Sequence, residues 1–417
     1  MIEQDNGRIT SVAWMEICPW LIIFRAFRLA IRARFLIISA AAILATVVGW
    51  QIIGMVFSGT DDEHLKTQIE MVAAEGSYPW KSLTAMVPDS PGYPDAEQSN
   101  NITIAWTQLS TPFLRIFSLQ ASMSEVAFWL LCGLWTLAIW SFAGGAITRT
   151  SAVQLAADEK LGWTSMSKYV LARWRSYFAA PLFPMLGVVL VTIPTLILGF
   201  FLRSDATTWI AGLLWILPLA GGLLSAILLL GLLFGWPLMW ATISSEGTDS
   251  FDALSRSYAY VFQRPLQYLF YAIVAAVLGA LGWFLVMNFA AGVVHITYWS
   301  ASWGAGNEAV QDVMTAGGGA SVLRFWTGCV KILAVGYLFS YFWTAATTIY
   351  FVLRHGVDAT EMDEVFLDGE AADSGFDLPQ IGTDEQGAPV VEDTKPEDTP
   401  TKDVDASPVE NSESEDK

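Results

Sequence analysis

The sequence predicts an all-α integral membrane protein, and its composition and its long apolar runs both support this class. Of its 417 residues, 54% are hydrophobic and only 15% are charged, and the mean hydropathy is +0.45. Soluble globular chains are about 45–50% apolar and about 25% charged. Six separate apolar runs are each long enough for a helix to cross the ~30 Å hydrocarbon core of a bilayer.

These six runs are the predicted transmembrane spans. They cover residues 35–57, 125–147, 181–202, 217–243, 266–288 and 329–353. The fourth run starts as early as Trp209, which makes it too long for one upright helix. The Leu217-Pro218 step and the Gly221-Gly222 pair predict a short interfacial piece that is followed by the span.

Basic residues are distributed unequally among the connections between the spans. They concentrate in alternate connections: Arg25, Arg28, Arg32, Arg34, Arg149, Lys160, Lys168, Arg173, Arg175, Arg256, Arg264 and Arg354. Because Lys and Arg flank helices on the cytoplasmic side, both termini are predicted to be cytoplasmic in a cytoplasmic (inner) membrane. Residues 58–124 then form an outer loop, which is predicted to make a small cap over the bundle.

Residues 246–265 form a charged stretch between two very apolar runs. Its large apolar residues are spaced three and four apart and share one helix face: Phe251, Leu254, Tyr258, Val261 and Phe262. Pro265 discourages continuation of this helix past Arg264. The stretch therefore predicts an amphipathic elbow helix that lies on the membrane surface and turns sharply into span five.

The acidic residues of this stretch have two interpretations. As structural residues, Asp249 or Ser250 caps the helix, and Asp252 is spaced four residues from Arg256 for an ion pair. As functional residues, Glu246, Asp249 and Asp252 would be paired carboxylates or metal ligands. No histidine lies nearby in the sequence and the acids lack a known metal-loop spacing, so the structural interpretation is favoured.

A similar pattern precedes the other two outward-going spans. Before Pro181, one face carries Met166, Tyr169, Val170, Trp174 and Tyr177, and the opposite face carries Lys168 and Arg175. Before the first span, the apolar Leu21, Ile22, Phe24 and Phe27 accompany Arg25, Arg28 and Arg32. The repetition predicts three two-span units, each preceded by an elbow helix whose basic residues contact anionic lipid headgroups.

A short resemblance accompanies this pattern. Glu246-Gly247, followed by Ala253-Leu254, Ser257 and an aromatic lead into a membrane helix, resembles a segment of poorly characterised bacterial six-span membrane proteins. It is also similar to the membrane region of some glycerophosphoryl diester phosphodiesterases. The resemblance covers residues 246–265 and implies a shared membrane scaffold. It implies no catalytic residue, because the soluble phosphodiesterase domain has no counterpart in this chain.

Residues with catalytic chemistry are few and dispersed. The histidines are His64, His295 and His355, and the cysteines are Cys18, Cys132 and Cys329, all far apart in the sequence. The sequence contains no HExxH, paired CxxC, Walker or GxSxG motif. The chain is therefore predicted not to be an enzyme, and no catalytic, cofactor-binding or metal site is assigned.

A transporter would need polar or ionisable groups at membrane depth. The candidates lie near the ends of spans: Gln51, Arg203, Asn288 and Lys331. Pro194 and Pro218 could break spans three and four around a substrate, or could be packed kinks, which is the favoured interpretation. Small residues predict close helix packing instead, in Gly231-x-x-x-Gly235 and in the stripe Ala272, Ala276, Gly279 and Ala280.

The C-terminal segment carries nearly all of the net charge. The chain has a formal charge of −18, and residues 356–417 contain 20 acids and 3 lysines. This composition predicts a disordered cytoplasmic tail, which would repel nucleic acid. The predicted domains are a cytoplasmic N-terminus at 1–34 with an amphipathic helix, a six-span domain at 35–355 and the tail at 356–417.

The sequence thus favours a non-enzymatic scaffold or assembly component of the membrane. Its expected partners are the lipid bilayer, anionic headgroups and a membrane protein or a second copy of the chain. The alternative is a permease for a small or lipid-like solute. A polar cavity around Pro194 and Pro218 would favour the permease, whereas a closed bundle with exposed apolar surface would favour the scaffold.

Overall fold

The computed structural model describes residues 18–73, 81–92, 103–315, 319–367, 381–383 and 389–391. After a 3-10 turn at Pro19–Ile22, the first half contains α1 (Ile23–Ala30), α2 (Ala33–Phe57), α3 (Glu63–Ala73), α4 (Lys81–Ala85), α5 (Ile104–Ile116) and α6 (Met123–Ala156). The second half contains α7 (Trp163–Phe201), α8 (Asp205–Leu214), α9 (Ile216–Glu246), α10 (Ser250–Gln263), α11 (Pro265–Ala305), α12 (Asn307–Thr315) and α13 (Gly319–Asp358).

Six of these helices are long and apolar enough to cross a membrane. They are α2, α6, α7, α9, α11 and α13; five contain a predicted span in full, and α7 contains all of the third span except Leu202. The prediction of an all-α chain with six candidate membrane helices is therefore confirmed. Several helices run well past the predicted span ends, and α11 and α13 have 41 and 40 residues.

The core of the bundle is a set of stacked tryptophans around α13. Trp240 of α9 and Trp343 of α13 stack with ring centroids 4.4 Å apart, and Trp140 of α6 stacks on Phe339 at 5.0 Å. All four side chains are at most 2% exposed. Close approach requires Gly144 of α6, where an added Cβ would lie 2.4 Å from the Trp240 ring. The central part of the bundle is therefore filled by large rings.

The elbow predicted before span three is not a separate helix. α7 is continuous from Trp163 to Phe201 and passes through Pro181 without a break. A proline inside a helix leaves the carbonyl four residues earlier without its usual donor. Here the Trp240 indole donates to that carbonyl, on Tyr177, at 2.8 Å. The hydrogen bond lost at Pro181 is thus replaced from α9, and α7 also continues through Pro184 and Pro194.

A second proline is accommodated in the same way. Pro237 lies inside α9, and the carbonyl it leaves free is that of Leu233. The Trp106 indole of α5 donates to this carbonyl at 3.4 Å. Pro218, by contrast, lies in the first turn of α9, where an absent N–H breaks no bond. The predicted short piece before span four is α8, and the break falls at Trp215 instead of at Pro218.

Part of the predicted outer loop, the helix α5, packs into the bundle. α5 packs along α6, and the Phe113 ring lies where a Cβ on Gly133 would be 2.9 Å away. Arg149 of α6 and Glu246 of α9 lie near the C-terminal ends of their helices. At 1.5 Å per residue, Gly133 is about 24 Å from Arg149 along α6, and Leu233 is about 20 Å from Glu246 along α9. The aromatic side chains of α5 therefore reach well into the bundle: Trp106 contacts the Leu233 carbonyl, and Phe113 contacts Gly133.

The compact unit of the chain ends at Phe366, and residues 367–417 form a second unit. The predicted boundary near His355 therefore lies inside α13. Within the second unit, Ile381–Thr383 (β1) pairs antiparallel with Pro389–Val391 (β2), with Ile381 opposite Val391. The sequence prediction of a disordered tail did not anticipate these strands. The prediction of disorder is wrong for residues 356–366, because 356–358 end α13 and the following segment forms hydrogen bonds with Arg354 and Ser245. The remaining residues of the tail lie outside the described part of the chain, as do residues 1–17 of the predicted N-terminal domain.

Candidate functional site

Buried and partly exposed polar side chains meet where the C-terminal ends of α6, α9 and α13 approach α10 and the start of α7. The residues involved are Thr148, Arg149, Tyr169, Arg173, Tyr177, Ser244, Glu246, Arg256, Tyr260, Tyr350, Arg354 and Asp358. We call this set the polar junction. Arg149 and Arg354 are each only 2% exposed, although arginine is almost never fully buried unless it is paired.

The Arg149 guanidinium is held by main-chain and aromatic groups. It donates to the Ser244 carbonyl at 2.7 Å and lies 3.8 Å from the centroid of the Tyr169 ring. The Ser244 hydroxyl in turn lies 2.6 Å from that of Thr148 and 2.8 Å from that of Tyr177. Three helices, α6, α7 and α9, are therefore joined around one serine and one arginine.

Glu246, the last residue of α9, is the acidic centre of the polar junction. Its carboxylate lies 2.8 Å from Arg256 and 3.8 Å from Arg354, and its side chain is 12% exposed. It also accepts a hydrogen bond from the Tyr350 hydroxyl. Nearby, the Tyr260 hydroxyl donates to the carboxylate of Asp358, and burial raises the pKa of Tyr260. The charges of α9, α10 and α13 thus compensate one another.

The predicted ion pair within α10 is wrong. Arg256 contacts Glu246 instead of Asp252, and it also approaches Asp358 at 3.9 Å. Glu246 is the better partner because its carboxylate is largely removed from water, whereas Asp252 is exposed. The predicted cap is confirmed, since the Asp249 side chain accepts from the N–H groups of Phe251 (2.9 Å) and Asp252 (3.0 Å).

The face of α10 that packs on the protein combines two small residues with two larger ones. Its buried residues are Ala253, Ser257, Tyr260 and Val261. Phe251 and Phe262, which belong to the predicted apolar face, are 65% and 44% exposed on the protein, as the predicted position of this helix on a membrane surface requires. Gly231 and Gly235 of α9 receive Tyr258 and Ser257, which confirms the predicted close contact at the Gly-x-x-x-Gly pair. Short distance between the helix axes requires small residues on both sides.

The segment after α13 closes over the polar junction. Arg354 donates to the carbonyls of Glu361 (3.0 Å) and Glu364 (2.6 Å), and the Phe366 N–H donates to the Ser245 carbonyl at 2.7 Å. The Phe366 ring lies over Gly247, which has a φ of +67° and where an added Cβ would be 2.8 Å from the ring. Residue 247 therefore has to be glycine for both conformation and space.

The chemistry of the polar junction is that of a structural joint. Its carboxylates are engaged by arginines and tyrosines, and its hydroxyls by carbonyls or other hydroxyls. Among the described residues, no group of three or more His, Cys, Asp or Glu could hold a metal ion. His355, the nearest histidine in sequence, contacts the Thr360 carbonyl at 3.0 Å.

A second polar cluster lies at the opposite end of α6. The buried Glu125 carboxylate contacts His64 at 3.0 Å and accepts from Gln68 at 2.8 Å, and Gln68 accepts from the Trp129 indole. Sequence reasoning treated His64 as isolated, although its spacing of four from Gln68 on one helix was a usable signal. The cluster fastens α3 to the start of α6.

The two N-caps of these helices also meet. Ser122 caps α6 and donates to the carboxylate of Asp62, which accepts from the N–H groups at the start of α3. The Ser122 hydroxyl, followed by the Leu65 N–H, holds the pKa of Asp62 below its ordinary value. Asp62 therefore stays ionised in its capping role at neutral pH.

The polar residues considered for transport are used in packing. Lys331 of α13 pairs with Asp89 at 2.8 Å, and the Asn288 side chain of α11 accepts from the Gly92 N–H at 2.9 Å. Arg203 lies against the ring of Phe200. Lys331 and Asn288 thus connect residues 89–92 of the outer segment to the bundle, whereas Arg203 contacts the end of α7.

Two cavities among the described residues are apolar. One, of about 330 Å³, lies among α5, α6, α7 and α9, and the other, of about 580 Å³, lies among α9, α10, α11 and α13. Neither is lined by Pro194 or Pro218. No family model matches the chain, and no curated protein or solved structure shows significant similarity to it.

Proposed function

We propose that the protein is a non-enzymatic membrane scaffold, which holds a partner membrane protein against an apolar arm on its outer side. The observation that carries this proposal is the exposed apolar surface of α11 and α13 beyond Asn288 and Lys331. Residues 289–315 and 319–330 form this outer arm.

The position of the arm follows from helix length. At 1.5 Å per residue, Asn288 and Lys331 lie about 35 Å from Arg264 and Arg354, at the predicted cytoplasmic ends of α11 and α13. This distance already exceeds the ~30 Å hydrocarbon core. The remaining part of α11, up to Ala305, extends about 25 Å further.

The surface of the arm is poorly suited to water. Its exposed side chains include Phe289 (76%), Ile296 (63%), Trp299 (56%), Trp303 (78%), Val322 (59%) and Trp326 (64%). Large contiguous apolar patches mark sites of contact with protein or membrane. Exposed tryptophans are also enriched at the energetic centres of protein interfaces. A membrane protein with an aliphatic and aromatic outer surface would fit this arm.

The rest of the molecule suits a rigid holder. The polar junction and the tryptophan core fill the part of the bundle on the predicted cytoplasmic side, and three elbow segments at α1, at the start of α7 and at α10 would anchor it through their basic residues to anionic headgroups. The resemblance of residues 246–265 to other six-span proteins stays a prediction, and it implies a scaffold of the same kind.

The alternative, a permease for a lipid-like solute, is favoured by the two apolar cavities. It requires a route across the whole membrane, and the stacked Trp240 and Trp343 rings occupy the centre of the bundle. Flux of a fluorescent phospholipid across proteoliposomes that exceeds flux in empty liposomes would support the permease and contradict the scaffold.

The scaffold predicts a protein contact at the arm. A photo-crosslinking amino acid at Trp303 or Trp326 should give one discrete protein adduct in cells, and Trp299→Arg should reduce this adduct several-fold. The matched control is Leu186 of α7, which is 60% exposed and lies at bilayer depth. The adduct is identified by mass spectrometry, and differently tagged copies reveal a second copy of this chain. The same adduct at Leu186, or no protein adduct at the arm, would contradict the proposal.

The proposed orientation has its own test. Ser90 and Glu159 are exposed residues on the two predicted sides. With Cys18 and Cys329 replaced by serine, and Cys132 buried, a cysteine at Ser90 should react with an impermeant maleimide in intact cells. A cysteine at Glu159 should react only after permeabilisation. The opposite pattern would invert the topology.

A further inference from the structure

We propose that the groove between α9 and α11 binds one acyl chain of an anionic phospholipid from the cytoplasmic leaflet, with the lipid phosphate at Arg264. This site goes beyond the scaffold function. It rests on the proposed orientation, which maleimide labelling tests separately.

The lining of the groove selects an apolar ligand. α9 and α11 stand apart here and α13 forms the floor, which leaves a cavity of about 580 Å³. Its walls include Leu230, Phe234, Leu269, Ala272, Ala276 and Leu338. The two tyrosine hydroxyls of the lining are already used, because Tyr268 donates to the Phe234 carbonyl (2.8 Å) and Tyr341 to the Ala275 carbonyl (2.7 Å). A hydrocarbon chain leaves none of these groups unsatisfied.

The length of the groove matches one leaflet. Its lining runs from Pro265 to Ala276 on α11 and from Leu338 to Ile349 on α13, about 16 Å on each helix. Half of a ~30 Å hydrocarbon core is about 15 Å. At the deep end, Thr103 and the Trp106 ring of α5 close the groove. The occupant therefore enters from the cytoplasmic side and ends near the bilayer midplane.

This closed end also excludes a transmembrane helix as the occupant. A helix of a partner or of a second copy would need an open path along the full ~30 Å of the core. Trp106 is fixed across that path by its hydrogen bond to the Leu233 carbonyl. A single acyl chain needs only the open half.

Arg264 provides the complementary charge at the mouth. It lies between Phe262 and Pro265, both of which line the groove. Its side chain is exposed, and within the described part of the chain the guanidinium group has no hydrogen bond or ion pair. The cytoplasmic leaflet carries the anionic lipids of the membrane, and each basic residue near its surface strengthens their binding. The phosphate of a lipid whose chain fills the groove would lie at this level.

The test measures lipid retained by the purified full-length protein. The protein is placed in nanodiscs of equal phosphatidylglycerol and phosphatidylcholine, transferred to mild detergent and examined by native mass spectrometry. We expect one retained phospholipid per chain, with phosphatidylglycerol favoured about fivefold. Ala276→Phe, which fills the groove, should remove this lipid. Ala220→Phe, at an exposed position of α9 outside the groove, should retain it.

Arg264→Gln separates the headgroup from the chain. It should keep one phospholipid bound while the preference for phosphatidylglycerol falls to near unity, and Arg264→Lys should restore most of the preference. Thermal unfolding of each variant shows that the bundle is intact. Equal lipid loss in the Ala276→Phe and Ala220→Phe variants, retention in both, or an unchanged preference in Arg264→Gln would overturn the proposal.

Discussion

Glu246→Gln is expected to lower the free energy of unfolding by about 3 kcal/mol, the lower end of the range for breaking a buried ion pair. The substitution removes the charge that faces Arg354, whose side chain is 3% exposed, while the guanidinium stays buried. Arg256, on the other side, is 43% exposed and can recover part of its hydration. Chemical or thermal unfolding of the purified protein in detergent measures the loss.

The matched control for this change is Asp252→Asn on the neighbouring helix. Asp252 is exposed, so its substitution should alter stability by no more than about 0.5 kcal/mol. If Glu246→Gln were as stable as the wild type and yet abolished the phenotype of the protein in cells, the polar junction would be a functional site instead of a joint.

Trp343→Ala is expected to cost about 3–5 kcal/mol, the range for removing a large buried aromatic side chain. Trp343 is fully buried and packs on Trp140, Trp236 and Trp240, so its loss leaves a cavity that surrounding rings cannot fill. The melting temperature in detergent should fall sharply, and the unfolding transition should broaden if the stack loses its single arrangement.

Trp209→Ala provides the comparison, because the Trp209 side chain is 85% exposed on α8. It removes the same atoms from a position that no ring covers, so the melting temperature should stay near that of the wild type. Equal losses for the two substitutions would show that the stacked tryptophans do not carry the stability of the bundle.

Run length and apolarity were sufficient to predict the six long helices, because a bilayer imposes a minimum length that the sequence displays directly. Helix caps were also readable, as Asp249 shows, since the capping side chain and its N–H partners are neighbours in sequence. The limits of α7 were not, because Pro181 was taken as the start of a span, whereas the helix runs through it and through Pro184 and Pro194. At Tyr177 the missing donor comes from Trp240, which is distant in sequence.

In the candidate site too, contacts between distant residues were not predicted from the sequence. The sequence identified residues 246–265 as a joint, but it assigned Arg256 to Asp252, its neighbour on the helix. Partner choice was decided by burial, and the burial of Glu246 depends on Tyr350 and Arg354 arriving from α13. The apolar periodicity of α10 left open which of its large residues contact protein and which contact lipid, and the structure places Ala253, Ser257, Tyr260 and Val261 against the protein.

The tryptophan hydrogen bonds to the carbonyls freed by Pro181 and Pro237 have a consequence for biogenesis. Trp106 is synthesised before Pro237, so the donor for the Leu233 carbonyl already exists when α9 leaves the ribosome. α7, in contrast, is synthesised before Trp240 and has to wait for it. The arrival of α9 therefore satisfies the Tyr177 and Leu233 carbonyls together, and nascent chains truncated before Trp240 should remain associated with the insertion machinery, because an unsatisfied backbone group is costly in lipid.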